Sequence, residues 1–116
     1  MVEDWAALIA ELSGDLRKLR GATPEVMKSF SAMAQSALSG EGLDVKTKEL
    51  IALAVSVAVR CDDCIGFHAQ SAAKAGATRQ ELSQTLGMAI YMGAGPSVMY
   101  ASHALAAFDQ FSKSQA

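Results

Sequence analysis

Cysteine and proline are scarce in this sequence, two of each among 116 residues. Two thiols are too few for the disulfide framework of a small secreted domain. In a reducing compartment such a pair more often serves redox or metal chemistry. A surplus of positive charge is missing as well. Ten Lys and Arg face twelve Asp and Glu, a net charge of −2, which leaves no cationic footprint for a phosphate backbone and argues against a nucleic-acid partner. No long hydrophobic run occurs. The longest nearly apolar stretch, Ile51 to Val59, contains Ser56 and is about half of what a bilayer crossing needs. The opening residues, Met-Val-Glu-Asp-Trp, carry neither the basic segment nor the apolar core of a secretory signal. Strand-like alternation is absent too. The expectation is a cytoplasmic helical protein with no membrane and no nucleic-acid contacts.

Apolar residues are abundant, at 51% of the chain. That content excludes a disordered protein, and the length suits one domain, so residues 1–116 are read as a single all-α bundle. Glycine and proline punctuate six expected helices. The first runs from about Glu3 to Leu19, with Trp5, Leu8, Ile9, Leu12, Leu16 and Leu19 on one stripe. The second starts at Pro24 behind a Thr23 cap and ends before Gly40. The third runs from Val45 to Val59 behind an Asp44 cap and, apolar nearly all round, is expected to be the most buried. The fourth runs from about Cys61 to Gly76, a C-terminal glycine cap. The fifth begins with a Thr78–Glu81 capping box and reaches about Met92. The last runs from near Pro96 to about Phe111. A domain this small has much surface for its volume, so its apolar excess predicts a homo-oligomer. Met27, Met33, Met88, Met92 and Met99 are assigned to helical core or subunit contacts.

Cys61-Asp-Asp-Cys64-Ile-Gly-Phe-His68 is the segment whose spacing carries chemistry. At about 100° per residue, positions 61, 64 and 68 of a helix fall within a sector of about 60°, and Cys64 and His68 form an i, i+4 pair. The thiols also fall at the expected start of helix four, where free N–H groups and the helix dipole favour a thiolate. An unperturbed thiol is roughly 3% ionised at pH 7, and making it mostly thiolate takes about 2.7 kcal/mol. A helix terminus and a neighbouring imidazole can supply that. Asp62 and Asp63 oppose it and are expected to face solvent or cap the helix.

Glu49, a carboxylate at the start of a very apolar helix, is the fourth candidate. In one straight helix Glu49 and Cys61 would lie about 18 Å apart, so they meet only if helices three and four fold back on each other. A simple hairpin leaves Glu49 beyond the level of His68, to be reached through a water or by an extended side chain. Plainer readings stand beside these: two buried structural thiols, a solvated Glu49, a core His68. A zinc site from Cys61, Cys64, His68 and Glu49 has acceptable ligands but an awkward tetrahedron. His103 has no partner at a telling spacing and is assigned to packing or surface. Lys46 and Lys48 are read as a solvated face, and Arg60 as the partner of an acid or part of the site mouth.

The pattern Glu49…Arg60-Cys61-x-x-Cys64-Ile-x-x-His68, with a Gly93-Ala-Gly95-Pro96 turn into the final helix, resembles the AhpD-like alkylhydroperoxidases of the carboxymuconolactone decarboxylase superfamily. The resemblance covers roughly Asp44 to Phe108. It implies an all-α subunit assembled as trimers or hexamers, and a peroxidase that works through the CxxC pair. In those terms Cys64 is the thiol that attacks the peroxide and becomes a sulfenic acid, and Cys61 the resolving thiol. His68 and Glu49 form the proton relay. No bound cofactor and no metal are implied. The reductant would be an external dithiol, lipoyl-type in that family, or a disulfide reductase. One position departs: the better-studied peroxidase members carry a His directly before the second cysteine, where this chain has Asp63. The chemistry is coherent in its own right. A thiolate cleaves the O–O bond, the leaving alkoxide takes a proton, and a neighbouring thiol condenses with the sulfenic acid before further oxidation. His68 can shuttle the proton and Glu49 can fix its tautomer. The competing functions are a general disulfide oxidoreductase, a non-enzymatic redox sensor, and a lactone decarboxylase like the superfamily's namesake, which would not need the cysteines.

Overall fold

Local capping explains most of the helix boundaries. In the structure, a computed structural model that describes residues 2–115 and side chains 2–113, Asp4 accepts a hydrogen bond from the Ala7 N–H and starts α1 (Trp5–Ala22). Pro24 opens α2 (Pro24–Leu38). Thr23 sits at the N-cap position of α2 but makes no side-chain capping bond; its own N–H instead closes α1 on the Leu19 carbonyl. Asp44 caps α3 (Val45–Ala58) through the Thr47 N–H. Cys61 caps α4 (Asp62–Lys74), which ends at the left-handed Gly76 (φ 88°). Thr78 and Glu81 exchange side-chain-to-backbone bonds of 3.0 and 2.8 Å ahead of α5 (Arg79–Gln115). The Thr78 N–H and then the Lys46 ammonium hold the Glu81 carboxyl below its ordinary range.

Among the described residues there are five helices and no strand. The fifth and sixth expected helices are two limbs of α5, joined at Ala94, whose backbone is not helical (φ 55°, ψ −139°). Pro96 has no N–H to bond backward, which favours a break there, and the break brings the Ser97 hydroxyl so close to Gly93 that a Cβ at that position would not fit. The second limb continues past the expected end near Phe111 to Gln115.

The core lies where α3, α4, α5 and the start of α1 meet. Trp5, Leu53, Val57, Ile65 and Leu82 are fully buried in it. Trp5 and Ile9 lie against Gly66 so closely that a Cβ there would come within 2.8 Å of the Ile9 Cδ1. α3 is the central helix expected, with Glu49, Leu50, Leu53, Ser56 and Val57 buried, but it keeps an outer face on which Ile51 and Val55 are exposed. Of the two places expected for the methionines, core and subunit contacts, the core does not hold Met33, Met88, Met92 and Met99, which are all exposed in the single chain. α2 packs on α1 and has no buried residue. Among the described residues no helix is long and apolar enough to cross a membrane.

Candidate active site

The turn from α3 into α4 sets the site. Arg60 adopts a left-handed conformation (φ 60°). Its N–H bonds the Val57 carbonyl, and the Cys61 N–H bonds the Ser56 carbonyl, both at 3.1 Å. This paired closure usually has glycine at its left-handed position, and a side chain there costs about 1–2 kcal/mol. It folds Cys61 back level with Ser56 instead of letting the chain run off the end of α3. From that level Glu49 lies seven residues along α3 and His68 seven along α4, about 10 Å each. The offset expected of a simple hairpin therefore vanishes. His68 Nδ1 donates directly to Glu49 Oε2 at 2.9 Å, and no bridging water is required.

Burying a carboxylate is costly unless it is hydrogen-bonded. Glu49 is only 4% exposed, and the imidazole satisfies it. The His68 side chain is 37% exposed, so one edge of the ring stays open. Cys61 and Cys64 are joined as a disulfide, with Cα atoms 5.2 Å apart. The Cys61 sulfur is also the N-cap acceptor of α4, taking the Cys64 N–H at 3.2 Å.

The two sulfurs differ in what they face. Cys64, together with Glu49 and His68, lines a cleft of about 570 Å³ whose walls include Leu12, Leu16, Phe30, Ala34, Leu38 and Phe67. A second cleft of about 320 Å³ reaches Glu49 and His68 from the side of Lys48, Ile51 and Ala37. All four residues singled out in the sequence thus come together. The cleft walls supplied by α1 and α2 were not foreseen, because side chains facing a site from other helices leave no spacing signal.

Other expectations change. Asp62 neither caps α4 nor points freely to solvent: its Oδ1 accepts from His103 Nδ1 at 2.8 Å. His103 thus has a partner, 41 residues away, too distant in sequence for a periodicity to show. Asp63 is exposed, as expected; it lies on the rim of the Cys64 cleft and of a smaller one shared with Glu11 and Asp15 of α1. Lys46 pairs with Glu81 at 2.9 Å, and the Lys48 ammonium donates to the Ser39 carbonyl. Among the described residues no three His, Cys, Asp or Glu side chains are grouped to hold a metal ion.

Residues 24–107 match the model of the carboxymuconolactone decarboxylase family, and the chain belongs to that family. An uncharacterised protein of Cupriavidus necator is 39% identical over 94% of this chain and 96% of its own length. Uncharacterised protein 4 in the cox locus of Paracoccus denitrificans is 34% identical over 71% of this chain and 74% of its own. Among solved structures, the apo form of a family member from Legionella pneumophila shares 52% identity with a TM-score of 0.90, over 93% of this chain and 96% of that one. A Thermotoga maritima member, for which a part in an antioxidative response has been suggested, shares 26% identity with a TM-score of 0.82, over 92% of each chain.

Proposed function

We propose that this protein is a thiol-dependent peroxidase that reduces organic hydroperoxides at Cys64. The observation that carries the reading is the single cleft shared by Cys64, His68 and the buried Glu49, with Cys61 in bonding reach of Cys64. The Cys64 thiolate attacks the terminal peroxide oxygen. An S–O bond forms, the O–O bond breaks, and the alkoxide takes a proton to leave as an alcohol. Glu49 holds the Nδ1–H of His68, so Nε2 is the nitrogen that exchanges protons. The Cys61 thiolate then attacks the sulfenic sulfur. The S–S bond forms, the S–O bond breaks, and the departing hydroxide is protonated to water. A dithiol, of the lipoyl type in the family's peroxidases and available in a reducing cytoplasm, restores both thiols by two exchange steps and becomes a disulfide itself. No resident cofactor takes part in this scheme.

The apolar walls favour an alkyl tail over bare hydrogen peroxide. With dihydrolipoamide as reductant, cumene hydroperoxide is expected to be consumed with a kcat/KM at least about tenfold above that for hydrogen peroxide, since burying one or two methylene groups is worth that much. No consumption of either peroxide by the fully reduced protein would overturn the reading.

The subunit is proposed to self-associate as a trimer or hexamer. Tyr91 and Met92, beside the Ala94 break, are 78% and 77% exposed, and contiguous apolar surface of this kind marks an interface. Sedimentation at micromolar concentration is expected to show three or six chains per particle; a monomer contradicts it.

A further inference from the structure

We propose that His103 is a positioning residue for Cys61: by holding the Asp62 carboxylate against α5, it keeps that negative charge off the sulfur that must become a thiolate to close the disulfide. The peroxidase scheme leaves this second imidazole–carboxylate pair unused. Asp62 is the first residue of α4 and follows Cys61 directly. Its bond from His103 Nδ1 is 2.8 Å long. The imidazole, 20% exposed, is held by its neighbours, with the Tyr100 ring centroid 5.0 Å away and that of the fully buried Trp5 6.3 Å away. The ring therefore fixes the carboxylate.

The Cys61 sulfur sits where the start of α4 favours an anion, with the Cys64 N–H already bonded to it. A carboxylate one residue on, left to rotate, would oppose that anion. The other charged groups near this end are accounted for separately. Arg60 precedes the turn. Asp63 is exposed and lines the cleft on the Cys64 side, and a smaller one with Glu11 and Asp15 of α1; it has no bond to His103. Glu49 of α3 is bonded to His68. The remaining acids of α5 are paired, Glu81 with Lys46 and Asp109 with Arg79. Asp62 is thus the charge whose placement His103 decides.

The consequence falls on the resolving step, in which the Cys61 thiol gives up its proton, its sulfur displaces hydroxide from the Cys64 sulfenic acid, and the hydroxide leaves as water. That consequence rests on the peroxidase reading, but the positioning is measurable without peroxide. In Cys64→Ser, where Cys61 is a free thiol, iodoacetamide alkylation is followed against pH. His103→Phe keeps an aromatic ring against Tyr100 and Trp5 but removes the donor. It is expected to move the midpoint of the profile upward and slow alkylation at pH 7 by about tenfold, the effect of one pH unit. His103→Asn, which can place an amide N–H near the Nδ1 position, restores most of the rate. With Asp62→Asn also present, His103→Phe has no effect. An unchanged profile in His103→Phe, or equal slowing with and without Asp62, overturns the proposal. Loss of peroxidase activity in the unmodified protein would leave this measurement untouched.

Discussion

Cys64→Ser is expected to bring hydroperoxide consumption to the uncatalysed background, a loss of about four orders of magnitude or more, as when a nucleophile is removed from other covalent enzymes. Serine keeps the size and position of the side chain, so the cleft and the His68–Glu49 bond persist. A hydroxyl is neither ionised near neutral pH nor oxidised to a sulfenic acid, so both the attack and the resolving step are lost. Cys61→Ser separates these steps. Its Cys64 still meets the cleft lined by His68 and Glu49, and one equivalent of hydroperoxide is expected to be consumed rapidly. Turnover then stalls, because no second thiol is within reach. Stopped-flow consumption of cumene hydroperoxide checks both variants. A one-equivalent burst in Cys64→Ser, or none in Cys61→Ser, would contradict the division of labour.

Trp5→Ala is expected to have the largest effect on stability, about 3–5 kcal/mol, from the loss of a large buried ring and the cavity left behind. Trp5 is fully buried. It lies against Gly66 of α4 and beside His103 of α5, and its backbone N–H donates to the Gln110 side chain at 2.8 Å. It is thus the peg that fastens α1 to the helices bearing the site. Its indole N–H has no hydrogen-bond partner among the described residues, so Trp5→Phe, which discards that donor and keeps an aromatic ring, is expected to cost much less. Urea unfolding followed by far-UV circular dichroism measures both. A Trp5→Ala midpoint unchanged from the parent would show that the peg does not bear on stability.

Short-range signals made most of the fold legible. Asp44, Gly76 and the Thr78–Glu81 box act within one turn, so the helix ends they set could be read directly. Cys61, Cys64 and His68 could be grouped because helical spacing alone places them on one side of α4. What escaped the sequence depended on through-space geometry. The level of Glu49 was misjudged because the folded-back turn is built on a left-handed Arg60, where composition gives no glycine to announce it. The Asp62–His103 bond joins the start of α4 to the second limb of α5, 41 residues on. The apolar girth of α3 marks it as the central helix but does not tell which side chains meet the core, and Ile51 and Val55 face outward in the single chain. The same holds for Met88, Met92 and Met99, whose exposure is a property of the subunit and not of its composition.

The claim on which the chemistry turns is that Cys64, and not the helix-capping Cys61, is the sulfur that meets the peroxide. Trapping with dimedone after one equivalent of cumene hydroperoxide, followed by peptide mass spectrometry, tests it directly. Cys61→Ser is expected to carry the adduct on Cys64, and Cys64→Ser to carry none. An adduct on Cys61 in Cys64→Ser, with Cys64 unmodified in Cys61→Ser, would contradict it.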